Sequence, residues 1–334
     1  MKQLLSIDWF QIGCKGQYPE SSNFEIVKMD YATRHFKTVI EIKLNGKRIF
    51  TIAREPHAKI IPVDHNLVKW DNEFLYSPNS ISHGLTYLKS LGLEPKNLAR
   101  IDLAIDFNKF SNGMHAQTLI RDYFSAKIVH SSHAKFSAIG TDQDKISYQY
   151  LRFGTAVSRA SIYLYNKTKE LQEIKFKQYI FQKWIESGLD VTQDVWRLEL
   201  TIKNSNFTVT DRDTGENSEF NIDQCINDDF LLNVFWAGVN QYFTFKRPTA
   251  DKNKSRWPNL KLFEDIIPAL HIDFRSGEKD WTKADKIFIK KMWETNQEMR
   301  GTDINFDINA NDYLMKFVNQ RGLKDWFIKK FSIQ

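Results

Sequence analysis

Residues 38–44 and 48–53 form two runs of alternating apolar and polar side chains on either side of Asn45-Gly46. Asn-Gly between such runs is typical of a two-residue β-hairpin, because both residues tolerate the positive φ that the turn needs. Similar alternation recurs in residues 3–12, 24–29, 100–107, 147–153, 160–165 and 195–203. The sequence therefore predicts an α+β fold built on a large, mostly antiparallel sheet.

Helical periodicity separates the predicted strands and dominates the C-terminal part of the chain. Flanking helices are predicted over residues 80–91, 116–127, 167–184 and 223–243, and two further helices over 282–299 and 311–330. A short strand is predicted at 134–139. The helices of the tail predict a small C-terminal helical unit.

The domain organisation follows from a change of composition at residues 246–259, which are polar, basic and bracketed by Pro248 and Pro258. We expect a domain over residues 1–245, divisible into subdomains 1–95 and 96–245, then a linker or basic loop over 246–259, then the helical unit over 260–334. Ser6-Ile-Asp-Trp followed by Val39-Ile-Glu-Ile also resembles Arg100-Ile-Asp-Leu followed by Leu198-Glu-Leu. Two duplicated halves of one sheet would produce this echo, and so would chance similarity between amphipathic strands.

Charge and composition restrict the class of partner. The 334 residues include 47 basic and 41 acidic side chains, for a net charge of +6. This excess favours a polyanion bound in a local basic cleft. The two cysteines are too few for a disulfide framework, and the eight histidines form no His-hydrophobic-His metal motif. Because no apolar run has the length of a signal peptide or membrane span, we expect a soluble cytoplasmic protein.

Three predicted strands carry polar side chains two or four residues apart, which places each set on one face of its strand. The sets are Asp102 with Asp106, Tyr163 with Tyr165, and Arg197 with Glu199. A carboxylate on an apolar strand is costly unless it faces water, pairs with a cation or binds a metal. Taken singly, each set is explained by a solvated strand face or an ion pair. Taken together, they indicate a functional site.

Carboxylates are the ligands that Mg²⁺ prefers, usually one or two of them together with water and phosphate oxygens. Asp102 and Asp106 lie too far apart along a strand for one ion to hold both easily. We expect one of them to join Glu199 in binding Mg²⁺ or Mn²⁺. The other then pairs with a basic neighbour such as Arg100 or Arg197.

The tyrosine strand ends where a charged helix begins, at Asn166-Lys167. Tyrosines in strands commonly do no more than cover a sheet. A phenol held at the end of a strand is also a rigid position for a nucleophile, although with a pKa of about 10 it needs a cation, a base or a metal in order to attack. Attack on a phosphodiester would give a phosphotyrosine, and we expect Lys167 to contact the phosphate.

Several motifs occur in a distinctive order between about residues 70 and 205. They are Arg100-Ile-Asp-Leu-Ala-Ile-Asp-Phe107, Phe153-Gly154, Ser158, Leu164-Tyr165-Asn166-Lys167, Glu170 and Trp196-Arg197-Leu198-Glu199-Leu200. In this order, and with Tyr165 placed 11 residues after Gly154, the chain resembles the Rep_trans family of rolling-circle replication initiators, which is related to the relaxases of conjugative elements.

The resemblance implies that Tyr165 is the nucleophile and Tyr163 an accessory residue. The enzyme would be a DNA strand transferase or endonuclease, a nickase with topoisomerase-like joining, that forms a 5′-phosphotyrosyl intermediate. It would start rolling-circle replication of a plasmid or mobile element. Its partners would be origin DNA as a duplex or hairpin, single-stranded DNA, a host helicase and a second copy of the chain, with no membrane.

Two alternatives use the same residues. A relaxase would nick a transfer origin by the same chemistry, and a non-catalytic DNA-binding regulator would keep the fold alone. Basic side chains expected to contact DNA in any of these are Arg100, Arg197, Lys169, Lys252, Lys254 and Arg256. Solvated helix faces are the ordinary explanation for lysines of this kind.

Overall fold

A computed structural model of the protein describes residues 4–17, 23–58, 61–131, 136–137, 150–154, 158–203, 207–264, 266–272, 287–294, 314–316, 318–319 and 323–331. The chain divides into two compact units, Met1–Phe274 and Arg275–Gln334. The basic stretch 246–259 belongs to the larger unit. The boundary therefore falls at residue 274, whereas the sequence suggested one near residue 245.

All of the strands that the structure describes lie in the larger unit. They are β1 Leu4–Lys15, β2 Glu25–Lys28, β3 Phe36–Leu44, β4 Lys47–Pro56, β5 His65–Trp70, β6 Glu94–Phe107, β7 Val129–His130, β8 Phe136–Ser137, β9 Tyr150–Phe153, β10 Ala160–Asn166, β11 Trp196–Lys203, β12 Thr208–Asp211, β13 Asn217–Glu219, β14 Phe245–Lys246, β15 Asn259–Leu260 and β16 Leu270–Ile272. Among the described residues, the helices with defined ends are α1 Asn72–Leu75, α2 Ser80–Ser90, α3 Ala116–Phe124, α4 Lys167–Glu173, α5 Gln178–Glu186, α6 Asp228–Tyr242 and, in the smaller unit, α7 Lys324–Phe331. Short 3-10 turns lie at Asp223–Ile226 and Lys254–Arg256.

Ten strands form one sheet in the order β2-β3-β4-β5-β1-β6-β11-β10-β9-β8, and every pair in it is antiparallel. The predicted α+β fold with a large antiparallel sheet and flanking helices is confirmed. Each half of the sheet places its first strand, β1 or β6, at the centre and its last strand, β5 or β11, beside it. The two halves therefore share one strand order, in keeping with duplication.

The sequence echo fits this symmetry only in part. Ser6 and Arg100 lie on β1 and β6, which occupy equivalent places in the two halves. Val39 and Leu198 lie on β3 and β11, which do not. The second part of the echo thus reflects the ordinary composition of amphipathic strands.

Strand β5 was missed because a polar residue occupies one of its buried positions. Asn66, Val68 and Trp70 point into the protein, so the buried apolar side chains begin only at Val68, the fourth residue of the strand. The buried Asn66 amide is satisfied because its Nδ2 donates to the backbone oxygens of Gly16 and Asp64 at 3.0 and 2.9 Å.

Helices α2 and α6 cover one face of the sheet and build the main hydrophobic core with it. Ile81 and Leu88 of α2 and Phe235 of α6 are buried in this core. Gly238 lets α6 approach β11 closely, because a Cβ at that position would lie 2.5 Å from Cδ2 of Leu200. The opposite face of the central strands carries the polar side chains.

The predicted helix over residues 167–184 is in fact two helices, α4 and α5, separated by Ile174–Lys177. A single helix over 167–184 would place Ile174 and Phe176 on its apolar face, but they are 79% and 61% exposed. Leu171 of α4 and Trp184 of α5 are buried in the same small cluster. The break in the helix allows both residues to reach it.

The smaller unit is helical where it is described. Residues 287–294 and α7 are helices, and a separate core gathers Ile289, Leu314, Val318, Leu323 and Phe327. The remaining parts of the predicted helices 282–299 and 311–330, and most of the predicted strand 134–139, lie outside the described residues. No helix in the described part of the chain combines the length and apolar character that a membrane span requires.

Candidate active site

Strand β10 places two tyrosines on the polar face of the sheet. Ile162 and Leu164 are fully buried in the core, so the alternating Tyr163 and Tyr165 lie on the other face. The rings of the two tyrosines stack with their centroids 4.5 Å apart. Gly154, at the end of β9, has φ +97°, and a Cβ there would lie 2.7 Å from the Cβ of Ser161. Glycine is therefore required where β9 approaches β10.

Strand register brings the three predicted polar sets together. Tyr165 lies opposite Arg197 on β11, which lies opposite Asp106 on β6. In the next row, Tyr163 lies opposite Glu199. These rows follow from the strict period of two in neighbouring antiparallel strands.

The Tyr165 hydroxyl is held between an acid and a base. It donates to Oε2 of Glu199 at 3.1 Å and accepts from Nζ of Lys167 at 3.3 Å. Lys167 also donates to both carboxylate oxygens of Glu170, at 2.9 and 2.8 Å. Tyr165 and Glu199 are each 8% exposed and Lys167 is 1% exposed, so this hydrogen-bonded set is buried.

Burial dominates the acid–base properties of the set. It raises the pKa of Tyr165 well above its usual value, and the nearby Glu199 carboxylate raises it further. Burial, with the nearby Asp102 and Asp8 carboxylates, raises the pKa of Glu199 to about 8. Burial, with the positive charge of Arg197, lowers the pKa of Lys167. The shifts of Glu199 and Lys167 move their pKa values towards neutral pH, whereas the shift of Tyr165 makes its phenol harder to ionise, so that attack by Tyr165 needs help from both neighbours.

Lys167 reaches the phenol because a helix begins directly after β10. Asn166 is the N-cap of α4, and its Oδ1 accepts from the backbone N–H of Lys169 at 3.0 Å. Its Nδ2 donates to Asp194 at 2.8 Å. The Tyr-Asn-Lys sequence thus encodes a strand end, a cap and the first helical residue.

Arg197 lies at the centre of a buried network rather than at a DNA-facing surface. Its side chain is fully buried, and it donates to both oxygens of Asp106 at 2.7 Å. It also donates to Asp8 at 2.6 Å and to the Tyr76 hydroxyl at 2.9 Å. Trp184 donates its indole N–H to Asp106 at 2.7 Å.

Asp8 belongs to the site although it was not predicted there. An extra residue in β1 shifts its register against β6 between Ile7 and Trp9, which is a β-bulge. Ile7 packs against the core, and so does Phe10. A regular strand would not place both on one face. The apolar residues that pack in the core occupy odd-numbered positions up to Ile7 and even-numbered positions from Phe10. This change in the alternation could have revealed the bulge from the sequence.

Asp102 pairs with Arg100, whose Nε lies 2.9 Å from Oδ1 of Asp102. The Arg100 guanidinium also lies 4.3 Å from the ring centroid of Trp9, and Nζ of Lys69 lies 3.3 Å from the same centroid. Burial and the charge of Arg100 lower the pKa of Lys69 to about 8. Cationic side chains therefore collect on the polar face beside the tyrosine site.

Arg152 is a further basic residue that sequence reasoning missed. It lies on β9 directly opposite Tyr163, and a guanidinium nitrogen lies 3.4 Å from Oγ of Ser161. The regular alternation of β9 places it on the face that carries the two tyrosines. That position could have been inferred from the strand pattern.

The other predicted basic residues lie elsewhere. Lys169 is exposed on α4. Lys252, Lys254 and Arg256 are exposed on the connection between β14 and β15, which belong to a separate three-stranded sheet with β7. Arg256 lies 3.7 Å from Asp251, so this connection is basic but partly neutralised.

The two predicted metal-binding aspartates differ in how well they suit a metal ion. Both oxygens of Asp106 accept from buried groups, whereas Arg100, the partner of Asp102, is 28% exposed and can exchange that pairing with solvent. In the part of the chain that the structure describes, no three acidic, histidine or cysteine side chains gather as a ready-made metal site. Asp102 therefore has the more exchangeable partner of the two aspartates, and its charge acts on the neighbouring Glu199.

The buried Glu199 carboxyl should make the stability of the protein depend on pH. Because its pKa is about 8 in the folded protein against 4.5 for an ordinary glutamate, the folded state keeps a proton that the unfolded state loses. Stability should therefore fall as the pH rises through this window. In the presence of EDTA, Glu199→Gln should remove this part of the pH dependence and be more stable than wild type at pH 8 by about 1–3 kcal/mol.

Urea unfolding measured across the same pH range checks this prediction. Glu94→Gln is the matched control, since the Glu94 side chain is 70% exposed. Parallel pH profiles for wild type and Glu199→Gln would contradict the buried, protonated state of Glu199.

Comparisons with known proteins give a likeness to a solved structure but none to a sequence family. No protein-family model matches the chain, and no curated protein matches its sequence significantly. The fold is similar to that of a rolling circle replication initiator protein from Geobacillus stearothermophilus, with 16% sequence identity and a TM-score of 0.46. The alignment covers 78% of this chain and 93% of that chain.

Proposed function

We propose that this protein is a site-specific DNA nicking and joining enzyme that uses Tyr165 as its nucleophile. One observation carries the proposal: the Tyr165 hydroxyl contacts the Glu199 carboxylate and the Lys167 amine at once, in a buried site at the end of a strand. A tyrosine that only covers the surface of the sheet needs neither contact. A nucleophilic tyrosine needs a group to take its proton and a cation to stabilise the phenolate.

In the proposed reaction, Tyr165 Oη attacks the phosphorus of a phosphodiester. The O–P bond to tyrosine forms and the bond from phosphorus to the 3′ oxygen breaks. Glu199, in the ionised form that a neighbouring divalent cation favours, accepts the phenol proton along the existing hydrogen bond, and the leaving 3′ oxygen takes up a proton to become a hydroxyl. Lys167 stabilises the negative charge on the phenol oxygen as it develops.

The product is a 5′-phosphotyrosyl link and a free 3′ hydroxyl. Because the link conserves the energy of the phosphodiester, attack by the 3′ hydroxyl rejoins the strand without a nucleotide cofactor. Nicking and joining are thus one reaction in two directions.

Basic side chains on the same face are proposed to hold the phosphates. Arg152 lies beside Tyr163, and Arg100 lies beside Asp102. Both are near enough to the tyrosine row to contact the nucleotides that flank the cleaved bond. Lys252, Lys254 and Arg256 would contact DNA outside the site.

Asp102 and Glu199 are proposed to hold an Mg²⁺ or Mn²⁺ ion. When bound, such an ion polarises the phosphoryl oxygen and steadies the leaving 3′ oxygen. Since the ion favours the charged carboxylate, adding Mg²⁺ to the urea titration described above should flatten the pH dependence of stability. An unchanged profile would argue against this ion site.

The biological role proposed for this chemistry is the start of rolling-circle replication of a plasmid or mobile element. Origin DNA, a host helicase and a second copy of the chain are the partners expected for it. Transfer of a conjugative element would use the same reaction, and the genes beside the coding sequence distinguish the two roles. The proposal rests on the site and not on the structural likeness reported above.

A nicking assay tests the proposal. Supercoiled plasmid carrying the non-coding DNA that flanks the gene should be converted by wild-type protein and Mg²⁺ or Mn²⁺ into nicked circle with protein attached to its 5′ end. Tyr165→Phe, which removes one oxygen atom, should give neither nicked circle nor attached protein. The shape of the site is retained because the ring remains.

Tyr163→Phe is the matched control, since its ring stacks on Tyr165. We expect it to retain nicking. Wild-type protein that binds this DNA without ever nicking it would favour the DNA-binding regulator instead. Equal nicking by wild type and Tyr165→Phe would assign the nucleophile to another residue.

A further inference from the structure

A groove with a volume of about 630 Å³ lies beside the tyrosine site. One wall is formed by Arg48 and α1, and the other by the α4–α5 junction and the first turn of α5. Residues of these walls that matter here are Arg48, Asn72, Lys175, Phe176, Lys177 and Tyr179. The volume lies within the range of small-molecule sites and is large enough for a nucleotide.

An exposed aromatic ring lies in this groove. Phe176 is 61% exposed, and its ring lies 5.9 Å from that of Phe181. Tyr179 lines the same wall and is supported by the ring of Tyr76, at 5.2 Å. Because it is exposed within a groove, the Phe176 ring is accessible to a ligand. An aromatic face is the surface on which an unpaired base stacks.

The charges around this ring favour an anionic ligand. The two carboxylates of the groove have cationic partners, since Asp71 pairs with Arg48 and Glu73 lies 3.5 Å from Lys47. Lys175 and Lys177 flank Phe176 in the sequence and line the same wall. Lys177 donates at 3.3 Å to the neutral amide of Asn72, so its charge remains available to a phosphate.

Hydrogen bonds connect the groove to the tyrosine site. Nδ2 of Asn72 donates to the backbone oxygen of Asp8 at 2.7 Å. The Asp8 carboxylate pairs with Arg197, which lies opposite Tyr165. A single DNA strand that passes Tyr165 could therefore place one of its nucleotides in the groove.

We infer that the groove binds an unpaired nucleotide of single-stranded DNA, with its base stacked on Phe176 and its phosphates contacted by Lys175 and Lys177. The inference rests on the proposed function, because the nick provides the single strand. Its test does not require nicking. Stacking tolerates any base, so the groove would hold the strand without reading its sequence.

Binding of a fluorescein-labelled oligothymidylate to the Tyr165→Phe protein tests the inference by fluorescence anisotropy. Adding Phe176→Ala should weaken binding about 5- to 100-fold, the range expected for loss of one stacked base. Phe176→Trp should restore most of the affinity. Binding of a duplex of the same length should change less than about twofold, because paired bases cannot stack on the ring.

Ile174→Ala is the matched control. Ile174 is 79% exposed in the same segment, but it lies outside the groove and has no aromatic face. Its substitution should leave the affinity within about twofold of the parent. A 2-aminopurine base in the oligonucleotide should be quenched on binding, and Phe176→Ala should abolish that quenching.

Equal losses for Phe176→Ala and Ile174→Ala, or no loss for Phe176→Ala, would overturn the inference. The inference would also fail if Phe176→Ala weakened the binding of duplex DNA as much as the binding of single-stranded DNA. That result would indicate a surface for duplex DNA. If wild-type protein fails to nick but these binding differences are found, the groove assignment holds and the proposed enzymatic function fails. The two ideas can thus be separated.

Discussion

Replacing Arg197 by methionine should lower the free energy of unfolding of the larger unit by about 3–5 kcal/mol, the cost typical of removing one partner from a buried ion pair. Arg197 is fully buried and donates to Asp8, Asp106 and Tyr76. Burial alone would raise the pKa of Asp8, but Arg197 and nearby lysines hold it well below its usual range. Without Arg197, two buried carboxylates lose their counter-charge.

Urea unfolding at neutral pH measures this effect. Arg48→Met is the matched control, because Arg48 also pairs with two carboxylates but is 46% exposed. It should cost no more than about 1 kcal/mol. Similar losses for the two variants would mean that the Arg197 network is not the buried support of the site that its contacts indicate.

The same network predicts a response to acid. Since the folded pKa of Asp8 is depressed, its stabilising contribution is present above the unfolded value of 3.8 and is lost as the pH falls below it. In the Arg197→Met variant this contribution is already missing. The stability difference between wild type and variant should therefore shrink as the pH is lowered.

Replacing Lys167 by methionine should lower the nicking rate about 100- to 1,000-fold, the usual cost of removing one group that stabilises developing negative charge. Lys167 Nζ lies 3.3 Å from the phenol oxygen whose pKa burial raises. Without the amine the phenolate is harder to form, so the pH–rate profile should also move to higher pH. Affinity for DNA should change little, because Lys167 is 1% exposed.

Single-turnover nicking of the plasmid substrate across a range of pH checks this prediction. Lys89→Met, an exposed lysine near the end of α2, serves as the control for loss of one positive charge. A Lys167→Met variant with a normal rate and a normal pH profile would remove Lys167 from the mechanism. A lower rate with an unshifted profile would restrict it to positioning.

Much of the site's layout could be predicted from the sequence because the period of a strand is strict. Alternation alone put Tyr165, Arg197 and Asp106 on the polar faces of their strands, and antiparallel pairing then aligned them in one row. The centres of most strands were predictable for the same reason, but β5 was missed and β6 begins at Glu94, six residues before the predicted strand. The Asn-Gly turn between β3 and β4 fixed the first hairpin.

What could not be predicted depends on contacts between distant segments. The bulge in β1 places the Asp8 side chain on the polar face. In the sequence, only the odd spacing of the core residues Ile7 and Phe10 indicates it. The sequence also left open which aspartate pairs with an arginine. In the structure both do, Asp102 with the partly exposed Arg100 and Asp106 with the buried Arg197. The break at Ile174–Lys177 lies within a run of helical periodicity, and packing of α4 and α5 against one cluster decides it.

The most direct test of the account is to identify the residue that carries DNA. Nicking reactions stopped with denaturant, digested with nuclease and protease and analysed by mass spectrometry should give a single modified peptide, with the nucleotide on Tyr165. An adduct on Tyr163 or on any other residue would contradict the account. So would nicked DNA that carries no protein, because it would show hydrolysis in place of transfer to tyrosine.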